Sequence, residues 1–238
     1  MTTVRKTIRI LVEGQPETYF LEERIIKKYK TYFPHTDLEV KPLGTKSTLL
    51  SLEQLTRHYF MLKNDPNLIC FFLPDFHPTN CLSLDHTDLE SLRRDLYGII
   101  ERKHPTINIP NYRERFLIHT FKQGGEVIFL ANLNIVFREL EINDEDFINE
   151  IKSRCNLDNL EDFEQNSKEE SYEKLILKEI FNKAGISYTV KNYESIIKNL
   201  NFKNLINHLA HFKAFLSDLF KFAEQNQETF DFKERYDL

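Results

Sequence analysis

Two acidic residues in the N-terminal half of the chain come directly after predicted strands. Glu13 follows the β-branched, apolar segment 7–12, and Asp75 follows the apolar run 68–73 after a single proline. The strands of an open parallel sheet end at one edge, and such folds bind their ligands there. Glu17 lies one helical turn beyond Glu13. Carboxylate oxygens suit Mg²⁺, which keeps several of its waters, so these residues are candidates for a divalent-metal site.

A Mg²⁺ or Mn²⁺ ion at that edge would stabilise negative charge on a phosphodiester and activate a water molecule. The segment 44–47, Gly-Thr-Lys-Ser, is a second candidate for phosphate chemistry. It is a turn before a predicted helix, so Lys46 and Ser47 are possible phosphate-binding residues through their backbone N–H groups. The segment lacks the upstream glycine of GxxxxGK[ST], and an ordinary turn explains it as well.

Alternating strands and helices are predicted to position these residues. Strand patterns occur at 7–12, 38–43, 68–73 and 115–120. Helical patterns lie at 16–33, from Ser47 to Lys63, from Thr87 or Asp88 to Ile99, and at 126–131. The run 68–73 is apolar without alternation, which is typical of a strand that is buried on both faces of a parallel sheet. The sequence therefore predicts an α/β fold with a mostly parallel sheet flanked by helices.

The character of the chain changes after residue 132, where acidic residues outnumber basic ones. Residues 139–173 predict short acidic helices and a mobile connector. Apolar stripes at helical spacing predict a helix over 172–184, ended by Gly185, and another over 205–219. We therefore expect an α/β domain at 1–133 and an acidic connector with a helical C-terminal region at 134–238. The two parts could also pack as one domain.

Composition limits the partners and the compartment. The net charge is −5, so a basic footprint over the whole chain is missing, and any nucleic-acid surface must be local. The best local cluster consists of Arg5, Lys6, Arg9, Lys27, Lys28 and Lys30. Three cysteines without CxxC spacing favour free thiols in a reducing cytoplasm. No apolar run approaches the length of a membrane helix, so we expect no membrane association.

Several segments resemble the Toprim domain, especially that of the overcoming-lysogenization-defect nucleases. The segment 12–17, Val-Glu-Gly-Gln-Pro-Glu, is similar to the VEGxxE opening of these domains. The segment 73–77, Leu-Pro-Asp-Phe-His, lies where the family has its DxD motif. Phe121-Lys122, followed by the helix start at Glu126, resembles a later motif of an uncharacterised bacterial Toprim-like family. The tail from 167 to 220 is similar to the C-terminal part of that family.

The resemblance implies a role for each matching acid. Glu13 would be the metal-linked general acid or base, Glu17 and Asp75 would be metal ligands, and Glu126 would be a further acid and ligand near the site. The chain has His77 where the family has its second DxD acid. Histidine suits Mn²⁺ or a transition metal but is a poor ligand for Mg²⁺, so His77 is a doubtful ligand and two-metal cleavage is in question.

The resemblance also implies that Lys122 acts in catalysis by meeting a phosphate. The first functional hypothesis is a metal-dependent phosphodiesterase or nuclease that acts on DNA or RNA. The resemblance implies an ABC- or SMC-type ATPase as partner, in anti-phage defence. The chain has no ATP-binding motif of its own, so any use of ATP would come from that partner. The alternative is a catalytically degenerate Toprim-like module that binds or regulates a partner. A nucleotide-binding domain of flavodoxin-like topology explains the strands equally well, but the chain has no glycine fingerprint for it.

Overall fold

The structure is a computed structural model that describes residues 5–75, 80–81, 84–105, 109–121, 125–155, 160 and 172–223. The described residues up to Thr120, with Phe222 and Ala223, form one compact unit, and those from Phe121 to Lys221 form a second. The sequence predicts this boundary later, at residue 133. The difference arises because the helix Val127–Leu130 contacts the helix Tyr172–Lys183, and both belong to the second unit.

Six strands occur in the described part of the first unit: β1 (Lys6–Val12), β2 (Thr36–Pro42), β3 (Leu68–Leu73), β4 (Asn80–Cys81), β5 (Leu84–Asp85) and β6 (Phe116–Ile118). Four of them form a parallel sheet in the order β2-β1-β3-β6, and β4 pairs antiparallel with β5. Val12 lies opposite both Pro42 and Leu73, so β1, β2 and β3 end level with one another. The residues that follow these three strands therefore share one edge of the sheet.

The helices of the first unit are α1 (Gln15–Leu21), α2 (Lys27–Tyr29), α3 (Lys46–Leu49), α4 (Leu52–Asn64), α5 (Leu89–Lys103) and α6 (Tyr112–Arg115). A π-helical turn (Glu22–Ile26) joins α1 to α2, and a 3₁₀ turn (Lys30–Tyr32) follows α2. The predicted helix over 16–33 is therefore present as one run of helical turns. It lies beside β2, which α1 contacts.

One face of the sheet packs against α4 and α5. Leu11, Cys70 and Phe72 point to this face and belong to one buried cluster with Leu55 of α4 and Leu92 of α5. The residues on the opposite face of the two strands are buried as well: Ile8, Ile10 and Val12 of β1, and Ile69, Phe71 and Leu73 of β3. All six residues of β3 are buried, which confirms the strand that the apolar run predicts. Because both faces of the sheet are covered, β1 and β3 are held in place, and so are the residues that follow their ends, Glu13 and Asp75.

Two predicted features of the first unit are wrong in detail. The helix over 47–63 is divided into α3 and α4, and Ser51, not Ser47, caps the longer helix by accepting the N–H of Gln54 at 3.3 Å. The segment 74–84, in which the sequence patterns predict no strand, contains β4 and the start of β5. The helix predicted from Thr87 or Asp88 is confirmed, since α5 begins directly after Asp88, whose carboxylate accepts the N–H of Ser91 at 2.7 Å.

The described part of the second unit is helical: α7 (Val127–Leu130), α8 (Leu133–Glu139), α9 (Glu145–Arg154), α10 (Tyr172–Lys183), α11 (Val190–Asn199), α12 (Phe202–His208) and α13 (Ala210–Phe220). Gly185, with φ of +72°, follows α10 as predicted. The predicted helix over 205–219 is wrong, because Leu209 leaves helical geometry and separates α12 from α13. Leu175 of the apolar stripe is 45% exposed, so it is not a core residue. Of the predicted acidic segment 139–173, residues 156–159 and 161–171 lie outside the described residues.

The predicted fold class is confirmed: an α/β fold with a four-stranded, all-parallel sheet flanked by helices and followed by a helical C-terminal region. This arrangement is consistent with a Toprim-like fold. Across the described ranges, no helix has the length and apolar character needed to cross a membrane.

Candidate functional site

Glu13 lies directly after β1 at the edge of the sheet, and it makes hydrogen bonds with residues that follow β2 and β3. Its carboxylate Oε1 accepts the N–H of Asp75 at 2.8 Å. The N–H of Lys46, at the start of α3, donates to the same carboxylate. The backbone carbonyl of Glu13 accepts the N–H of Gly44 at 2.9 Å, which continues the pairing of β1 with β2. The structure thus brings the Glu13 carboxylate to the backbone of Asp75 at this edge of the sheet.

The surroundings of Glu13 favour its protonated form. Burial, together with the negative charge of Glu17, raises the pKa of Glu13 from 4.5 to about 7. The N–H groups of Asp75 and Lys46 and the positive charge of Lys46 lower the same pKa, but they do not outweigh the burial. A carboxyl group with a pKa near neutrality can both take up and release a proton under ordinary conditions.

Glu17 lies in the first turn of α1 and is 8% exposed. Its Oε2 accepts the N–H of Gly14, the residue before the helix, at 3.1 Å. A Cβ on residue 14 would lie 3.0 Å from this oxygen and 3.2 Å from Cδ of Pro16. The Glu-Gly-x-x-Glu spacing therefore has a local physical reason: glycine leaves room for the second carboxylate to fold back beside the first.

Lys46 and His86 form a buried polar contact near Glu13. Lys46 is 5% exposed and His86 is 3% exposed, and Nζ of Lys46 lies 3.1 Å from Nε2 of His86. The N–H of Lys46 is directed at the Glu13 carboxylate, and Ser47 is exposed with its hydroxyl 2.9 Å from that of Thr45. The phosphate-binding role of Lys46 and Ser47 stays a prediction. Lys46 therefore contributes to the site in two ways, through the contact of its side chain with His86 and through the hydrogen bond of its backbone N–H with Glu13.

Three other predicted site residues lie outside the described part of the first unit. Glu126 lies in the second unit, half-buried at the turn before α7. His77 and Lys122 lie outside the described residues. Their predicted roles remain predictions, and the site at the sheet edge is built from Glu13, Glu17, Asp75, Lys46 and His86.

The donor set fits a hard divalent cation that one or two carboxylates and several waters would hold. The oxygens at the edge belong to carboxylates, and the pKa of Glu13 is raised mainly by burial and further by the negative charge of Glu17, which a bound cation would offset. Within the ranges that the structure describes, no group of three or more His, Cys, Asp or Glu side chains is placed to hold a metal. These residues therefore fit a metal site in which the protein supplies few ligands and water supplies the others.

Sequence reasoning missed His86. A signal for it was present, because Asp88 is a helix cap and residues just before a crossover helix lie at the carboxyl edge of a parallel sheet. The same reasoning finds His119, which follows β6 and is 1% exposed. The N–H of His119 donates to the carbonyl of Phe72 at 2.9 Å, and Nη2 of Arg93 lies 3.5 Å from its Nδ1.

Three of the six residues in the basic cluster at the start of the chain form ion pairs with acids. Arg5 pairs with Asp37 and Lys27 with Glu23, while Nε of Arg9 lies 3.0 Å from the carboxylate of Glu39. These contacts compensate much of the positive charge that the sequence suggests for a local nucleic-acid surface.

No protein-family model, curated protein or solved structure matches this chain. The resemblance to Toprim domains therefore rests on the residues themselves, above all on the segment 12–17.

Proposed function

We propose that this protein is a metal-dependent phosphodiesterase that cleaves DNA or RNA at the sheet edge around Glu13. The observation that carries the proposal is the Glu13 carboxylate, which receives the N–H of Asp75 at 2.8 Å and has a pKa of about 7. A general base works best when its pKa lies near the operating pH. A Mg²⁺ or Mn²⁺ ion bound at these carboxylates would stabilise the charge on the phosphate and activate the attacking water.

Each residue at the edge has a proposed task. Glu13 takes the proton of the attacking water, and the two N–H donors hold its carboxylate in one orientation. Asp75 and Glu17 supply oxygens for the cation. Following the Toprim resemblance, we include an ABC- or SMC-type ATPase as the partner and anti-phage defence as the setting.

The test is cleavage of labelled single-stranded DNA, single-stranded RNA and plasmid DNA with Mg²⁺ or Mn²⁺. We expect Glu13→Gln to lower the rate by about a hundredfold or more, the usual contribution of a general base, and Asp75→Asn to lower it as well. Glu39→Gln is the matched control, because this half-buried glutamate of the same unit lies on β2 and pairs with Arg9 and Lys41. Unchanged cleavage in both site variants, or cleavage that persists with chelator, would contradict the proposal.

A second candidate function is a binding or regulatory module without catalysis. It is favoured by the bonds that already engage the carboxylates: Glu13 holds the N–H groups of Asp75 and Lys46, and Glu17 holds that of Gly14. Melting curves with and without metal separate the two candidates. A ligand that binds only the folded state adds about 3 kcal/mol at a hundredfold excess over its dissociation constant. The module predicts no stabilisation by Mg²⁺ or Mn²⁺ and no cleavage.

A further inference from the structure

A lysine and a histidine that are both buried meet beside the acidic residues. The lysine is the first residue of α3, which follows β2, and the histidine precedes Asp88, the cap of α5. Two separate connections at the carboxyl edge of the sheet thus supply the pair Lys46–His86. The 3.1 Å between Nζ and Nε2 is a hydrogen-bond distance.

The chemistry of the two groups sets the direction of this bond. A lysine ammonium has three donors and no acceptor, so Nε2 of His86 accepts the bond, and the imidazole carries its proton on Nδ1. Burying an ammonium group is costly unless it is bonded and paired with opposite charge. An apolar side chain would fill the same space at lower cost if packing were the only requirement.

Lys46 also acts on Glu13 in two ways. Its backbone N–H donates to the Glu13 carboxylate, and the positive charge of its side chain lowers the pKa of Glu13. The ammonium therefore lies within electrostatic reach of the acidic group that the sheet edge presents. A charge that is already desolvated and fixed acts over several ångströms without touching the substrate.

We propose that Lys46 is a built-in cation of the acidic site and that His86 is the residue that positions it. The inference rests on the proposed phosphodiester hydrolysis, in which a preorganised positive charge offsets the negative charge that develops on the phosphate. The ammonium takes the place that a second metal ion has in two-metal sites, so the site binds one divalent cation. If the lysine replaces the second metal ion, the chain does not need the second acid of the Toprim motif, and it has His77 at that position.

The charge of Lys46 is tested by Mn²⁺ binding, followed through the electron paramagnetic resonance signal of free Mn²⁺ without substrate. We expect one ion per wild-type chain. Lys46→Met should bind Mn²⁺ about tenfold more tightly, because it removes a unit positive charge a few ångströms from the ion. Lys46→Arg keeps the charge and Lys63→Met removes an exposed charge from the last turn of α4, so both should stay within about twofold of wild type.

The positioning role of His86 is tested in two ways. His86→Leu removes the acceptor, and His86→Gln places an oxygen near the position of Nε2. We expect kcat to fall about tenfold in His86→Leu with little change in KM, and His86→Gln to restore most of the loss. Nitrogen-15 NMR of the metal-free wild-type protein should show the His86 ring with its proton on Nδ1, a measurement that needs no substituted chain to fold.

Equal Mn²⁺ affinity in Lys46→Met and wild type would overturn the proposal, as would a neutral His86 ring with its proton on Nε2 or two Mn²⁺ ions bound at the wild-type site. Wild-type protein that binds Mn²⁺ but cleaves no nucleic acid would refute the proposed hydrolysis, while the affinity of Lys46→Met would still decide the place of the lysine. Wild-type protein that binds no Mn²⁺ would also refute the metal-dependent function. The NMR result would then show whether His86 accepts a hydrogen bond from Lys46.

Discussion

Two half-buried glutamates of the first unit, Glu13 and Glu39, have opposite electrostatic surroundings. The Glu39 carboxylate lies 3.0 Å from Nε of Arg9 and 2.8 Å from Nζ of Lys41. Burial alone would raise the pKa of Glu39, but the bonds and charges of these two cations bring it below its ordinary value. Burial and the nearby Glu17 instead raise the pKa of Glu13 to about 7.

The difference separates a structural carboxylate from a candidate functional one. Glu39 is ionised, paired on both sides, and lines a cavity of about 250 Å³ with Thr7, Arg9, Met61, Asn64, Asp65 and Leu68. Glu13 is held by N–H donors and one lysine, and a second carboxylate stands beside it. Proteins place such poorly compensated groups at functional sites more often than elsewhere, because a shifted pKa is useful for proton transfer and for binding cations.

The largest stability effect is expected from Glu13→Gln in metal-free buffer. The pKa of Glu13 in the folded state lies above its ordinary 4.5, so the protonated group stabilises the fold below about pH 4.5. That contribution is lost as the pH rises through 7. A shift from 4.5 to about 7 corresponds to about 3 kcal/mol at full burial, and partial exposure reduces the expectation to about 2 kcal/mol.

Glu13→Gln should therefore be about 2 kcal/mol more stable than wild type at pH 8 and nearly equal to it at pH 4. Urea unfolding at the two pH values measures the free energy of unfolding, and the difference between the two proteins cancels the other titrating groups. A variant that is less stable than wild type at pH 8 would show that ionised Glu13 is well compensated. The contrast with Glu39 would then disappear.

Much of the sheet edge could be predicted from local patterns. The apolar run ending at Leu73 and the β-branched segment ending at Val12 locate the two strand ends, because burial on both faces leaves few alternatives for such residues. Parallel pairing then places Glu13 and Asp75 at one edge. These inferences need only hydrophobicity and the level ends of neighbouring strands.

The Lys46–His86 contact could not be derived in the same way. The two residues are forty positions apart, and their contact depends on how the chain returns from β3 to the cap of α5. The break between α12 and α13 at Leu209 could not be predicted for a related reason. An apolar residue at helical spacing occurs equally in one long helix and in two short ones. In each case tertiary packing, which has no local sequence pattern, decides the outcome.

Gly14→Ala tests whether close approach of the two carboxylates produces the unusual state of Glu13. The added Cβ would meet Oε2 of Glu17 at 3.0 Å, so the carboxylate must shift by a few tenths of an ångström, which weakens its hydrogen bond with the N–H of Gly14. We expect a loss of about 1 kcal/mol in the free energy of unfolding. With Glu17 displaced, Glu13→Gln should stabilise the Gly14→Ala protein at pH 8 by less than it stabilises wild type.

The matched control is Gly98→Ala in the interior of α5. Its Cβ would lie 3.2 Å from Nη1 of Arg102, the far end of a flexible side chain that can move away. Alanine is the better helix former, so this variant should gain about 0.5 to 1 kcal/mol. Urea midpoints that shift in the same direction for both variants would contradict a specific conflict at Gly14.

The smallest effect is expected at Glu39, and it should have the opposite sign to that at Glu13. The pKa of Glu39 is lowered in the fold, so its ionised form stabilises the protein above its ordinary pKa of 4.5, and this contribution is lost as the pH falls through the lower folded value. One third of the side chain is exposed, so Glu39→Gln should cost only about 0.5 kcal/mol at pH 7. Urea unfolding in low and high salt measures the loss, which should shrink as salt screens the pair. A gain in stability at pH 7 would mean that Arg9 and Lys41 do not compensate the burial of Glu39, and the two glutamates would then differ in degree rather than in kind.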